Sequence, residues 1–310
     1  MAKTIREIYG EILKEYGATN DNIVVLDADV SGSTKSAVFG KAYPDRFYNC
    51  GISEYTMVGM AAGLAKMGKI PFANTFAVFI STIGLLGART FMSYSGLNVK
   101  YAGAYGGLSD AYDGATHHAL EDISNMRALP GVDVLVPSDA MSTDYIVKEA
   151  IARKQPMYIR LSRDAMPDCH PEGAQFEYGK GMVVREGTDV TLIGCGIMVS
   201  KSCEAAELLA KEGISARVVD MWCIKPLDEE LIAKCAAETG AIVTAEEHSV
   251  IGGLGAAVSE AVVKTCPVPV EKVGLMDTHA ESASYKDLFA KYHLNAEDIA
   301  AAAKKAIGRK

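Results

Sequence analysis

The sequence predicts two doubly wound α/β domains, a larger first one followed by a smaller second. Three observations lead there. The chain has 310 residues, enough for about two domains at roughly 150 residues each. Short apolar runs of strand length alternate with stretches of helical periodicity, the pattern of parallel sheets covered on both faces. One segment, DAMPDCHPEGAQFEYGKG at 164–181, is rich in Pro, Gly and charge and interrupts that alternation once. The expected division is 1–165, a linker at 166–180, and 181–310.

Ile5, Ile8, Tyr9, Ile12 and Leu13 recur at helical spacing, so the chain opens with an amphipathic helix. IVVLD (23–27) is a continuous apolar run of the kind buried in parallel sheets, and the polar turn ADVSGSTKS follows it. Further strands are expected at FYNCG (47–51), IPFANTF (70–76), VKYAGAY (99–105), VDVLVP (132–137) and MYIRLS (157–162). Helices are expected near 53–67, 80–95, 119–128 and 139–153. After the linker, DVTLIGCG (189–196), SARVVDM (215–221), AIVTAEE (241–247) and VPVEKVGL (268–275) read as strands. Helical patterns near 198–212, 227–239 and from 253 separate them, and two short helices close the chain.

Composition narrows the function. Apolar residues make up 49% and charged residues 23%, which excludes disorder and collagen-like structure. Lys plus Arg number 31 against 39 Asp plus Glu, a net charge of −8 with no basic block, which argues against a nucleic-acid partner. The seven cysteines are scattered without a CxxC pair or a zinc-type spacing, as expected of free thiols in a reducing cytosol. The opening MAKTIREIYGEILKE has no apolar core of a signal peptide, so a cytoplasmic location is expected. Ile70 to Ala88 is uncharged and long enough to suggest a membrane span. Pro71, Asn74, Thr75, Ser81 and Thr82, and its split into strand-like and helix-like halves, argue against a span.

Several motifs have plain explanations. DADVSG (27–32) imitates the opening of a calcium loop, but its twelfth position is Val38 and a strand precedes it. LIGCGIMVS (192–200) has Val199 where a dinucleotide fingerprint needs its third glycine. Glycines for close helix packing account for it and for VIGGLGAAV (250–258). No Walker A, HExxH or GxSxG sequence occurs.

The first domain holds the informative residues. Glu54 starts a helix rich in small residues, where it either complements the helix dipole behind a Ser53 cap or does chemistry. Phe76 and Phe79 stand at i, i+3, a spacing that core packing also explains. His117 and His118 follow a Gly turn and, as neighbours, point apart, so they are not expected to share a metal. RLSRD (160–164) ends a strand with two arginines, which suit either a surface or an anion.

These motifs fall in one order: an opening helix with Arg6, LDADVSGST, GISE, FANTF, DGATHH, LSR before the linker, and EEHSVIGGLG after it. In that order they resemble the second half of transketolase, from about residue 4 to the end. The first domain is similar to the pyrimidine-binding domain of thiamine-diphosphate enzymes, with a smaller transketolase C-terminal-like domain after it. The resemblance implies that Glu54 is the carboxyl that protonates the cofactor's aminopyrimidine ring, a task served by a raised pKa in an apolar pocket. It makes Phe76 and Phe79 the aromatic lining of that pocket and Asp29 the acidic residue near the cofactor. Asp113 and His117 match residues that bond sugar hydroxyls beside the reacting carbon. Arg163, with Arg6 and Ser33, matches the phosphate end, where a guanidinium fork suits two oxygens at once. Two positions depart from the family: Thr82 stands where a third aromatic is usual, and Tyr105 lies near the place of a further histidine.

The family holds its diphosphate through Mg2+ with a Gly-Asp-Gly motif, and no such triplet occurs in these residues. No metal ligand is therefore expected in this chain. The resemblance implies the C-terminal subunit of a split transketolase that works with an N-terminal subunit, by family analogy as α2β2. Sugar phosphates, xylulose 5-phosphate and ribose 5-phosphate, are the implied substrates. The alternatives are the β subunit of a 2-oxo acid dehydrogenase and a non-catalytic assembly subunit. Asp113, His117 and Arg163 speak against the first, and Glu54 kept with both phenylalanines speaks against the second.

Overall fold

The computed structural model describes residues 4–310. Its first sheet is built from β1 (Ile23–Asp27), β2 (Phe47–Asn49), β3 (Ile70–Phe76), β4 (Lys100–Ala104), β5 (Asp133–Leu135) and β6 (Met157–Leu161). The second takes β7 (Met182–Arg185), β8 (Val190–Gly194) and β9 (Ala216–Asp220). β10 (Cys223–Lys225), β11 (Ile242–Ser249) and β12 (Val270–Leu275) complete the count. The orders are β10-β5-β6-β4-β3-β1-β2 and β12-β11-β8-β9-β7. All pairings are parallel except β10 on β5 and β7 on β9. The fold class is the expected one, because β1, β4, β6, β8 and β9 are buried at every position, as strands covered on both faces must be.

The helices follow sequence signals. Thr4 and Glu7 form a reciprocal capping box at the start of helix Ile5–Gly17. Asp139 caps helix Ala140–Ala152, accepting the Ser142 N–H at 2.9 Å. Two expected helices are corrected. The one placed at 80–95 is broken into Ala77–Thr82, Leu85–Gly87 and a wide-wound turn Ala88–Tyr94. Gly84 has no room there for a side chain against the Ile80 carbonyl. The one placed at 119–128 is shortened to Asp122–Arg127, because Ala119 is used in a bridge to Gly106 and Gly107. The uncharged run 70–88 forms β3, two short helices and the start of the wide-wound turn. Among the described residues no helix is long and apolar enough to cross a membrane. All seven cysteines are free thiols.

Two features join the halves of the chain. β10, which follows β9 of the second sheet after two residues, leaves that sheet and closes the edge of the first one beside β5. The segment after β6 has no helix or strand of its own, yet it is packed: the Phe176 ring lies 5.3 Å from Tyr145 and 6.3 Å from the fully buried Trp222. In the same segment His170 is buried between two carboxylates. Its Nδ1 meets Asp139 Oδ2 at 2.6 Å and its Nε2 faces Asp220 Oδ2 at 3.0 Å. Asp139 opens a helix of the first half, and Asp220 ends β9 of the second.

Candidate active site

The site lies where ligands bind open parallel sheets, beyond the carboxyl ends of adjacent strands. β3 and β4 deliver Phe76 and Tyr105, and the chain leaving β6 delivers Arg163. Phe76 is the hub. Its ring centroid is 5.9 Å from Phe79, 4.5 Å from Tyr105 and 6.1 Å from His117. His117 sits edge-on to Phe79 at 5.2 Å, with its Nδ1 3.0 Å from the Thr116 hydroxyl. His118 turns the other way, is buried, and places Nε2 3.2 Å from the Ala111 carbonyl. Burial keeps its imidazole below the usual histidine range.

Next to Phe76 in β3, the Thr75 hydroxyl donates to Glu54 Oε1 at a long 3.4 Å. Glu54 is buried at the first turn of helix Glu54–Lys66. Ser53 makes no side-chain cap; its hydroxyl donates instead to Thr56 Oγ1 at 2.7 Å. A buried carboxyl with one long side-chain bond, to the residue before Phe76 in β3, fits the aminopyrimidine end of a thiamine cofactor. Such a group offers a ring nitrogen to the carboxyl and a flat face to the aromatic rings.

Tyr105 carries the cationic end. Arg6 Nη1 donates to the Tyr105 hydroxyl at 2.8 Å and to the Ser33 carbonyl, while its Nε donates to the Arg163 carbonyl at 3.2 Å. The Arg6 and Arg163 guanidinium carbons stand 4.6 and 5.4 Å from the Tyr105 ring centroid. Ser33 therefore joins this cluster through its backbone, as the docking point for Arg6. Tyr105 also packs on Phe76, with the two rings tilted by 45°. The Thr82 hydroxyl donates to the Val78 carbonyl at 2.6 Å. Asp29 is exposed at the end of β1, held at φ 67° with the Asn49 amide donating to it at 2.8 Å, and takes no part in this cluster. The neighbouring Asp27 explains the calcium-like sequence. Its buried carboxylate accepts from the Val30 N–H and the Thr34 and Ser36 hydroxyls at 2.7 to 2.8 Å, so it pins its own loop.

The loop after β4 carries Asp110, Asp113 and His117, and it is gripped from the second half of the chain. Glu247, buried in β11, accepts the Leu108 N–H at 2.6 Å. Arg160 is paired with buried Asp122 at 2.7 Å and donates to the carbonyls of Ala119 (3.1 Å) and Glu247 (2.8 Å). Burial pushes the Glu247 carboxyl up to about 7 against the pull of Arg160 and the Leu108 N–H. Gly107 has φ 67°, and a side chain there would overlap Glu247. Gly107→Ala is therefore expected to cost about 1–3 kcal/mol of stability, read as a lower denaturant midpoint with unchanged slope. An unchanged midpoint would show that the grip is slack.

Sequence reasoning missed Glu247 and Asp110, and it offered Arg160 a surface or an anion where the structure buries it against Asp122. EEHSVIGGLG stands out in the sequence only as a motif, and the structure explains it. Glu246 accepts the Leu254 and Gly255 N–H groups at 2.7 and 2.8 Å, closing the start of helix Leu254–Thr265. Glu247 holds the loop. Gly253 leaves space for the Glu246 carboxylate.

Comparison with known proteins agrees with this architecture. The transketolase pyrimidine-binding domain model matches residues 1–168, and the transketolase C-terminal domain model matches residues 179–299. A 6-deoxy-6-sulfo-D-fructose transketolase subunit from Clostridium sp. (strain MSTE9) is 40% identical over 99% of this chain and 95% of its own length. An apulose-4-phosphate transketolase subunit from Phocaeicola vulgatus is 40% identical over 95% of this chain and 94% of its own. Among solved structures, a split-gene transketolase described as an inactive β4 tetramer superposes with a TM-score of 0.91 and 48% identity over 99% of both chains. Two matched domains in the same order, and relatives alike along nearly their whole length, lead to one conclusion: the chain belongs to the transketolase family and is built like the subunits of split transketolases.

Proposed function

We propose that this chain is the C-terminal subunit of a split transketolase. Together with an N-terminal subunit that holds the diphosphate and Mg2+, it transfers a two-carbon ketol unit from a ketose phosphate to an aldose phosphate. One observation supports this above the others. Phe76 packs against His117 and against Tyr105, over which Arg6 and Arg163 stand, while Thr75, its neighbour in β3, bonds the buried carboxyl of Glu54. When bound, thiamine diphosphate supplies the nucleophilic carbon that a ketol transfer requires. Phe76 and Phe79 exclude water from its ring, and Glu54 holds a proton at the ring nitrogen. Asp29 serves at the rim facing the companion subunit. Asp113 and His117 bond the sugar hydroxyls, and Arg163 with Arg6, steadied on Ser33, holds the terminal anion. In this reading residues 1–165 form the pyrimidine-binding domain, 166–180 the linker and 181–310 the C-terminal domain.

A companion subunit accounts for an apolar surface. Ile52, Tyr55, Met60 and Met67 are exposed on and around helix Glu54–Lys66, with Ile83, Leu86 and Tyr94 exposed on the following segment. In an α2β2 assembly this face is covered by the partner. The chain without its partner then resembles the inactive β4 state described for its relative.

Xylulose 5-phosphate and ribose 5-phosphate are the expected donor and acceptor. The relatives named for a sulfosugar and for apulose 4-phosphate favour a second reading of the donor, because an arginine pair receives a sulfonate as readily as a phosphate. The experiment compares the purified chain with the tagged chain recovered with its companion, each given thiamine diphosphate, Mg2+, ribose 5-phosphate as acceptor and either xylulose 5-phosphate or 6-deoxy-6-sulfo-D-fructose as donor. Turnover only in the complex supports the assignment, and the better donor selects the reading. Turnover by the chain alone, or none in the complex, overturns it. Within the complex, Arg163→Met is expected to raise KM for the anionic sugar about ten- to hundredfold. An unchanged KM removes Arg163 from the anion end.

A further inference from the structure

Asp110 sits at the base of the site loop, fully buried, and neither of its carboxylate oxygens receives a hydrogen bond from any described residue. A buried carboxylate without donors is costly unless it is protonated or balanced by charge. Both remedies are at hand. Arg163 Nη1 lies 3.8 Å from Asp110 Oδ1 and donates to the Asp110 carbonyl at 3.2 Å. On the other side the Asp113 carboxyl, three residues on in the same loop, adds a like charge that favours a proton on Asp110.

We propose that Asp110 is a positioning residue for the anion-binding end of the site. Ionised, it draws the Arg163 guanidinium onto its own loop; protonated, it releases that guanidinium to a tetrahedral oxyanion. Anion binding at Arg6 and Arg163 is thereby coupled to proton uptake from solvent by Asp110. This rests on the reading of Arg163 as the holder of the substrate's charged group.

The groups facing Asp110 fix the sign. Burial, then the nearby Asp113 carboxyl, push its carboxyl up to about 7, while Arg163 and Arg6 pull it down. Asp164, itself raised by burial, faces the same two arginines. His118, lower in the same loop, is depressed by burial. An arriving anion offsets the two guanidinium charges that favour ionised Asp110, so it raises the affinity of Asp110 for a proton. By reciprocity, anion affinity falls as pH rises through the Asp110 value.

Sulfate is the probe, because it has no titratable proton near neutrality and any proton taken up belongs to the protein. Calorimetric titration of the full chain with sulfate, in two buffers of different ionisation enthalpy, is expected to show net proton uptake. Affinity is expected to fall about fivefold between about pH 6 and about pH 8, most of the tenfold that one unit of coupling gives over the full range. Asp110→Asn is expected to abolish the uptake and flatten the pH profile. Asp113→Asn, at an exposed position, is expected to move the fall to lower pH by removing the neighbour that holds Asp110 up. Uptake that persists in Asp110→Asn, or is missing from the native chain, overturns the proposal. Arg163→Met separates the two levels. If it abolishes sulfate binding while Asp110→Asn changes nothing, only the role of Asp110 falls. If sulfate binds Arg163→Met as well as the native chain, or binds neither, the anion end falls with it.

Discussion

Glu54→Gln is expected to lower ketol-transfer turnover in the assembled complex by about 10²–10⁴-fold, the usual worth of a placed acid–base group. Gln has nearly the same shape and can still accept from the Thr75 hydroxyl, so the helix start at Glu54 and the packing around it survive. What is lost is the ability to carry a proton. The effect therefore falls on kcat, with KM for the sugar nearly unchanged, because Arg6 and Arg163 are tied to Tyr105 at the other end of the aromatic cluster. Full activity in a Glu54→Gln complex that assembles normally would remove Glu54 from the chemistry. A loss accompanied by failure to assemble would make it a structural residue at the subunit contact.

His170→Ala is expected to destabilise the chain by about 3–5 kcal/mol, the cost of breaking a buried ion pair and leaving its charge uncompensated. Here two carboxylates, Asp139 and Asp220, lose one cation. Burial alone would depress the His170 imidazole, but the two carboxylates overturn that and hold it up at about 9. Burial likewise works to raise Asp139, yet the bonds from His170 and the Ser142 N–H pull it below the usual carboxylate range. The sign for histidine follows from its raised value. The stabilisation is fully present below the unfolded value near 6.5 and is lost as pH rises through about 9. Denaturant titrations of native and His170→Ala chains should therefore converge as pH rises through that window. A gap that stays constant would mean that His170 acts by packing against Phe176, whose ring is 4.8 Å away, and not by charge. The Sγ of Cys169 completes a metal-like trio with Asp139 and His170 within 4.8 Å, but both imidazole nitrogens already face carboxylates.

What can be read from the chain divides along a physical line. IVVLD, IPFANTF and SARVVDM are legible because burial on both faces demands continuous apolar runs, and that demand is local. Thr4 with Glu7 is equally local, since a cap and its partner are three residues apart. β10 and β7 escape a sequence reading because each is only three or four residues long and lies antiparallel at a sheet edge, where no run or alternation is required. The helix expected at 80–95 looks continuous in sequence because its breaks come from Gly84 and wide winding, which apolar periodicity does not register. In the site, Glu54, Phe76, Phe79, His117 and Arg163 stand out through motif order. Asp110 and Glu247 do not, because their meaning comes from partners far along the chain: Arg163 for one, Leu108 for the other. At Ser33 the contact with Arg6 is made by the backbone carbonyl, which the residue type does not reveal.

The crossing of β10 onto β5 bears on how the molecule comes apart. The two matched family domains suggest a chain that can be cut near residue 170 into independent modules. The structure forbids that cut. A fragment ending there would bare the β5 edge, whose unpaired backbone invites another copy to dock, and would strip Asp139 of His170 if cut before it. The remaining piece would carry a loose three-residue strand with nothing to pair with. The strand acts as a clasp: the halves match separate family domains, but they are expected to melt as one body. Heating should give a single calorimetric transition for the whole chain, whereas either half made alone should precipitate.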